Sequence, residues 1–240
     1  MKHLQVFHRT FFIQAIWTYE KMLSIGFAYC LAPLAEKLFP EPEQWKKFLR
    51  KNLDFFNTHP YMAGWIIGSI CKIEQDATIS GDAVQPDRLK KRMSEILGGI
   101  GDNLFWNSLK PATAFLGVIT ALSFEFWGVV AFLTTFNIPH FYHRFAGISK
   151  GYRLGFEITK ILSPKRFDTI IKRISIASSV LFGGACAILL QNNMMDNLQS
   201  KLIFFIGLMA GYIALAKHIS MQRLITVALS ALLLYGLLLV

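Results

Sequence analysis

Three stretches without one charged side chain constrain this sequence most: residues 174–195, 202–216 and 224–240, of 22, 15 and 17 residues. A helix that crosses a bilayer needs ~20 apolar residues, with ~17 at the short end. The first and third meet that length, and the second does so if Lys201 and Lys217 snorkel from its ends. Residues 111–139 form a still longer region, which Glu125 divides into two apolar halves of 14 residues each. It is either a helical hairpin entering from one side or two tilted, discontinuous spans; hydropathy alone does not choose. With 53% hydrophobic residues and a mean hydropathy of +0.41, the whole reads as an all-α integral membrane protein.

The formal net charge is +10, but the basic residues sit at the edges of apolar segments rather than on a polar domain surface. That pattern excludes a nucleic-acid binder and marks orientation instead. Residues 140–173 carry Arg144, Lys150, Arg153, Lys160, Lys165, Arg166, Lys172 and Arg173 against Glu157 and Asp168, so this connector is expected on the cytoplasmic side. The chain then crosses outward, returns, turns at Lys217, His218 and Arg223, and crosses again as a C-terminal hairpin, leaving the C-terminus outside. The start, MKHLQVFHRTFFIQ, lacks the uninterrupted apolar core of a cleavable signal peptide. Cys30, Cys71 and Cys186 are isolated and read as small apolar filler.

No repeat or second compositional block appears, so one membrane domain over residues 1–240 is expected, with an amphipathic, interfacial and re-entrant part (1–97) and a transmembrane part (98–240). Residues 11–38 mix bulky apolar side chains with Gln14, Glu20, Lys21, Glu36 and Lys37, which fits an amphipathic helix or bent pair at the interface or against a partner. Residues 45–56 place Trp45, Phe48, Leu49, Leu53 and Phe56 on one helical face and Lys46, Lys47, Arg50 and Lys51 on the other. Such a face meets either an anionic lipid surface or solvent. FNTHPYM, residues 56–62, leads into an 11-residue uncharged run, residues 61–71, too short to cross and therefore re-entrant or buried. Asn57, Thr58 and His59 stand at its polar mouth, with Pro60 in the first helical turn; Asn57 is alternatively a helix cap. Lys72, Glu74 and Asp76 mark the return to water.

The chemistry concentrates in residues 98–111, GGIGDNLFWNSLKP. Gly98, Gly99 and Gly101 let the backbone bend or another segment come close, as in the broken helices of transporters. Asp102 and Lys110 are costly so near a bilayer, ~3 kcal/mol each on insertion scales, and call for a partner, a cavity or a substrate path. Asp102, Asn103, Trp106, Asn107 and Lys110 together offer acids, amides and a ring to a sugar. On an α-helix Asp102, Phe105, Trp106 and Leu109 share a face, which a partner helix would equally well cover. Other chemistries are thinly supported. His140 and His143 are two imidazoles without a third ligand, GGIG has no phosphate-loop Lys-Ser/Thr, and no acid pair or nucleophile motif occurs. No cofactor and no catalytic residue of the chain's own is expected.

FNTHPYM and GIGDNLFW (residues 99–106), with the opening RTFFIQAIWTYEKMLSIGFAYCLAP and with Asn137, Arg144, Gly147, Gly151, Tyr152 and Gly155, resemble the IID membrane component of the mannose/fructose/sorbose class of the bacterial phosphotransferase system (PTS). The resemblance runs over nearly the whole chain. It implies a multi-pass permease subunit of the bacterial cytoplasmic (inner) membrane, bound to a IIC subunit in a hetero-oligomer. Together they would pass a hexose-type sugar to a cytoplasmic phospho-IIB (IIAB) protein that phosphorylates it. Candidate substrate contacts are Asn57, His59, Glu74, Asp102, Asn103, Trp106 and Lys110. A non-transporting regulatory or structural membrane subunit of a degenerate complex is the alternative.

Overall fold

The computed structural model describes residues 3–80, 86–191 and 206, which are mainly helical, with turns and irregular chain at 11–23, 39–41 and 52–62 that hold two isolated bridges. The second and third charge-free stretches, and with them the expected C-terminal hairpin and external C-terminus, lie outside the described residues. In order come α1 (His3–Thr10), α2 (Ser24–Leu38), α3 (Pro42–Lys51), α4 (Ala63–Ser80) and α5 (Pro86–Gly101). A π-helical segment, Asp102–Leu109, leads without a break into α6 (Lys110–Phe124), followed by α7 (Phe126–Leu154), a 3-10 turn (Gly155–Glu157), α8 (Ile158–Ile161) and α9 (Pro164–Gln191). Packing divides the chain into two compact units, Met1–Gly184 and Ala185–Val240; α1 to α8 lie in the first.

The centre of the first unit is α4, in which every residue from Ala63 to Cys71 is buried. A helix apolar all round belongs inside, and here protein rather than lipid covers it. The short run read as re-entrant or buried is thus a buried core helix. Its partner is α7, and the two meet through reciprocal glycines four residues apart. A Cβ on Gly64 or Gly68 would fall 2.7 Å from the Arg144 carbonyl oxygen or 2.3 Å from that of Ile148. On the facing helix, a Cβ on Gly151 would fall 2.3 Å from the Trp65 carbonyl oxygen, and one on Gly147 2.8 Å from the Trp65 ring. Backbone thus lies directly on backbone, the small-residue mode of close helix packing. Ser69 Oγ adds a 3.2 Å hydrogen bond to the Gly151 carbonyl. Residues 1–97 and 98–184 are therefore interlocked in one unit.

Within residues 11–38, α2 buries Phe27, Cys30, Leu31 and Ala35 wholly in the chain's own core, where Phe27 packs on Phe56 with ring centroids 4.2 Å apart, and leaves Tyr29, Glu36 and Lys37 exposed. Of the two readings of residues 111–139 the structure has a hairpin, turning at Glu125 (φ 42°), and Gly128 passes so close to α6 that a Cβ would sit 2.5 Å from the Gly117 carbonyl oxygen. Pro139 lies inside α7. It removes one backbone donor, yet α7 runs on to Leu154 because α4 holds that half in place. Much of the basic connector is consequently helix rather than loop, and α9 begins ten residues before the charge-free stretch. Among the described residues, Pro164–Ile188 of α9 is the helix long and apolar enough to cross a membrane, and it is almost entirely uncovered.

At the other end α3 exposes Lys46, Lys47, Arg50 and Lys51 and buries Phe48, as its amphipathic pattern requires. The helix stops at Lys51, and Lys90 of α5 ties down the chain that follows. Its ammonium donates to the carbonyls of Asn52 (3.2 Å) and Asp54 (3.4 Å) and lies 4.6 Å from the Phe27 ring centroid. Burial draws Lys90 down to about 8, against the opposing pull of Asp54 and Asp87.

Candidate functional site

The segment 57–60 crosses α5 where its glycines face it. A Cβ on Gly101 would lie 2.2 Å from His59 Cβ and 2.4 Å from its Cγ, so the imidazole occupies the place a side chain would take. Gly98 faces Thr58 at a looser 3.8 Å, and Gly99 faces nothing within 4 Å. Close approach, rather than bending, is thus what Gly101 provides.

His59 is buried and stacked on Phe105 (ring centroids 5.1 Å apart, planes at 14°), with Tyr61 and Trp106 at 4.9 and 5.3 Å. Its Nδ1 accepts the Tyr61 backbone N–H at 3.3 Å, which puts the proton on Nε2. That Nε2 is buried without a hydrogen-bond partner among the described residues. Burial, and then the nearby Arg144, His140 and His143, lower His59 to about 4, so it is neutral at pH 7.

Beside it opens a cavity of about 440 Å³ lined by Asn57, His59, Asp102, Gln14, Trp17 and Glu95, among others. Three of the seven candidate residues meet here from two distant parts of the sequence. Asn57 is exposed in the cavity wall and caps no helix, because α4 starts only at Ala63 and Pro60 lies in the turn before it. Sequence reasoning missed Gln14 and Trp17, which reach the cavity because residues 18–23 are pinned to Phe56 by the Leu23 N–H to Phe56 carbonyl bond (2.8 Å).

The other four candidates lie elsewhere. The π winding of Asp102–Leu109 breaks the expected shared face: Phe105 and Leu109 turn into the core while Asp102 and Trp106 are exposed. With hydrogen bonds from i to i+5, as Lys110 N–H to Phe105 carbonyl, each turn holds more than 3.6 residues and the offsets of three and four no longer coincide. Trp106 touches the back of the site through His59 and holds Lys110 5.2 Å from its ring centroid. Asn103 accepts a 3.0 Å hydrogen bond from Asn107 and lines a separate hollow with Asp168. Glu74, on α4, faces Lys51 at 3.5 Å; burial raises its carboxyl while Lys51 draws it down.

His140 and His143 do not form a metal pair. His140 stacks on Tyr61 (3.7 Å between centroids), accepts Arg144 Nε–H on Nε2 at 2.9 Å, and so presents Nδ1–H to Asn137 Oδ1 at 3.3 Å. Among the described residues no group of three His, Cys, Asp or Glu could hold a metal.

A polar cavity between a π-wound segment and the 57–60 loop, carried on closely packed helices of a chain that also holds a helix long and apolar enough to cross a membrane, is the arrangement of a helical membrane protein. Solved structures agree on the fold. A chain described as a membrane protein superposes with TM-score 0.72 at 24% identity, and one from the complex of the mannose transporter ManYZ with microcin E492 with TM-score 0.61 at 24%; each match covers 98% of this chain and 94% of the other. The chain belongs to the IID components of the PTS mannose/fructose/sorbose family, whose sequence model matches residues 1–240. It is 31% identical over 183 residues to the mannose-specific EIID component of Escherichia coli K12, covering 74% of this chain and 64% of that protein. To the sorbose-specific EIID component of Klebsiella pneumoniae it is 28% identical (75% and 66% covered), and to the fructose permease IID component of Bacillus subtilis 26% (74% and 66%). The chain spans just under two thirds of the length of these relatives.

Proposed function

We propose that this chain is the IID subunit of a sugar permease in a bacterial cytoplasmic membrane, working with a IIC subunit to bind a hexose-type sugar and deliver it to a cytoplasmic phospho-IIB protein. The meeting of Asn57, His59 and Asp102 in one cavity of about 440 Å³ carries this reading. Small-molecule sites have volumes of roughly 300–1,000 Å³. A carboxylate and an amide suit sugar hydroxyls, and Trp17 and Phe55 in the cavity wall supply the rings that cover a sugar's apolar face, the part earlier assigned to Trp106. The unpartnered Nε2–H of His59 costs about 1–3 kcal/mol, which a ligand oxygen would relieve. Exposed Phe124, Phe126, Trp127, Val129 and Leu133 on the α6–α7 hairpin offer an apolar face for lipid or the IIC subunit. Exposed Lys160, Lys165, Lys172 and Arg173 give the phospho-IIB protein a basic approach. Arg144 is not part of that approach, since it is buried.

Asp102→Asn in a reconstituted IIC/IID pair is expected to raise the sugar concentration for half-maximal uptake about tenfold, the loss of one charge-assisted hydrogen bond. Unchanged uptake and affinity would remove Asp102 from the pathway.

A further inference from the structure

A larger cavity, of about 500 Å³, lies away from the sugar site, between the C-terminal half of α7 and the start of α9. Three cations stand around it: Lys150 and Arg153 from α7 and Arg166 from α9. All three are exposed, and among the described residues no carboxylate comes within ion-pair distance of any of them. The remaining wall is apolar, with Leu154, Leu162, Phe167 and Ile170. Ile161, His143, Trp65 and Tyr142 complete it, and Lys150 bridges the last two, donating to the Tyr142 hydroxyl at 3.0 Å with its ammonium 5.9 Å from the Trp65 ring centroid.

Unpaired cations above a greasy wall, edged by Trp and Tyr, match a molecule that is anionic at one end and apolar at the other. The cavity also has a direction. Arg166, Phe167 and Ile170 belong to the first turns of α9, the helix fit to cross a membrane, which continues with exposed Ile176, Val180 and Phe182. A headgroup held at the cations would leave its acyl chains along that uncovered helix. We infer that Lys150, Arg153 and Arg166 form a binding site for the phosphodiester of an anionic glycerophospholipid, with its acyl chains laid on the apolar wall and α9. This site stands apart from the sugar pathway and does not depend on it.

Native mass spectrometry of the full-length chain in detergent, titrated with phosphatidylglycerol or phosphatidylethanolamine, tests the inference. Wild-type protein is expected to retain phosphatidylglycerol at least tenfold better than phosphatidylethanolamine. K150Q/R153Q/R166Q should bring the two within twofold, while K46Q/K47Q on α3 should keep the preference. R153Q and R166Q alone, both at exposed positions, should each lower retention about threefold, which keeps the test decisive if the triple variant is poorly folded. Equal retention of the two lipids by wild type, or an unchanged preference in both single variants and the triple variant, would overturn the site. So would displacement of phosphatidylglycerol by millimolar inorganic phosphate, the mark of a soluble-anion site. Loss of phospho-IIB binding in the triple variant with lipid retention intact would reassign the cations to a protein partner.

Discussion

Gly101→Ala is expected to abolish sugar uptake, although it adds a single methyl group. The new Cβ would stand 2.2 Å from His59 Cβ, and the imidazole cannot yield because Phe105 and Tyr61 hold it from two sides. Overpacking of this kind costs about 1–3 kcal/mol and sometimes more, and here the strain falls on the loop that carries both Asn57 and His59. Uptake should fall more than tenfold, and the protein should unfold at a lower temperature in detergent. Gly99→Ala supplies the internal comparison. Nothing lies within 4 Å of its Cβ, which faces the cavity, so the exchange should strain nothing and stabilise the helix by about 0.5–1 kcal/mol. Wild-type uptake and stability in Gly101→Ala would mean that the loop does not rest on α5 as described.

Arg144→Met should destabilise the fold by about 3 kcal/mol or more. Arg144 is 4% exposed, and its guanidinium joins three elements: Nε–H donates to His140 on its own helix, Nη1 donates to the Thr10 carbonyl at the end of α1, and the group lies 4.9 and 5.4 Å from the ring centroids of Phe11 and Tyr61. No carboxylate among the described residues pairs with it. Methionine of similar length would leave His140 Nε2 buried and unpaired, at about 1–3 kcal/mol, and would take from the Thr10 carbonyl its charged donor, leaving it the Ile13 N–H alone. Lysine should rescue less than half, because one ammonium does not reproduce the fork that serves both acceptors. Thermal unfolding in detergent measures the loss, and protease cleavage within residues 11–17 should quicken as α1 comes free. A variant as stable and as protease-resistant as wild type would show that Arg144 does not anchor α1.

These two residues also show where sequence reasoning reached and where it stopped. The glycine stretch and FNTHPYM were recognisable as polar interruptions in an apolar chain, and their residues Asn57, His59 and Asp102 do converge. Composition and charge-free runs likewise sufficed for a helical membrane protein. Arg144, in contrast, reads in sequence as one more cation of a basic connector; its burial follows from α1 folding back over α7, a long-range contact that no local pattern records. The continuation of α7 through Pro139 is of the same kind, since tertiary packing on α4 outweighs the cost of a missing N–H. An α-helical count puts Phe105 and Leu109 on the Asp102 face, and a π segment of eight residues, which turns them inward, leaves no compositional trace. Gly64/Gly68 and Gly147/Gly151, two four-residue glycine spacings visible in the sequence, are the places where α4 and α7 touch.

The cavity beside His59 is the central claim, and sugar protection of Asn57 tests it most directly. With Asn57→Cys, exposed in the cavity wall while Cys30 and Cys71 stay buried, the rate of maleimide labelling can be followed in membranes containing the assembled permease and Cys186→Ala. The transported sugar should slow labelling at least fivefold, at concentrations that track its uptake, and a sugar that is not transported should leave the rate unchanged. Labelling at one rate with and without a saturating transported sugar would contradict a sugar site at Asn57, His59 and Asp102.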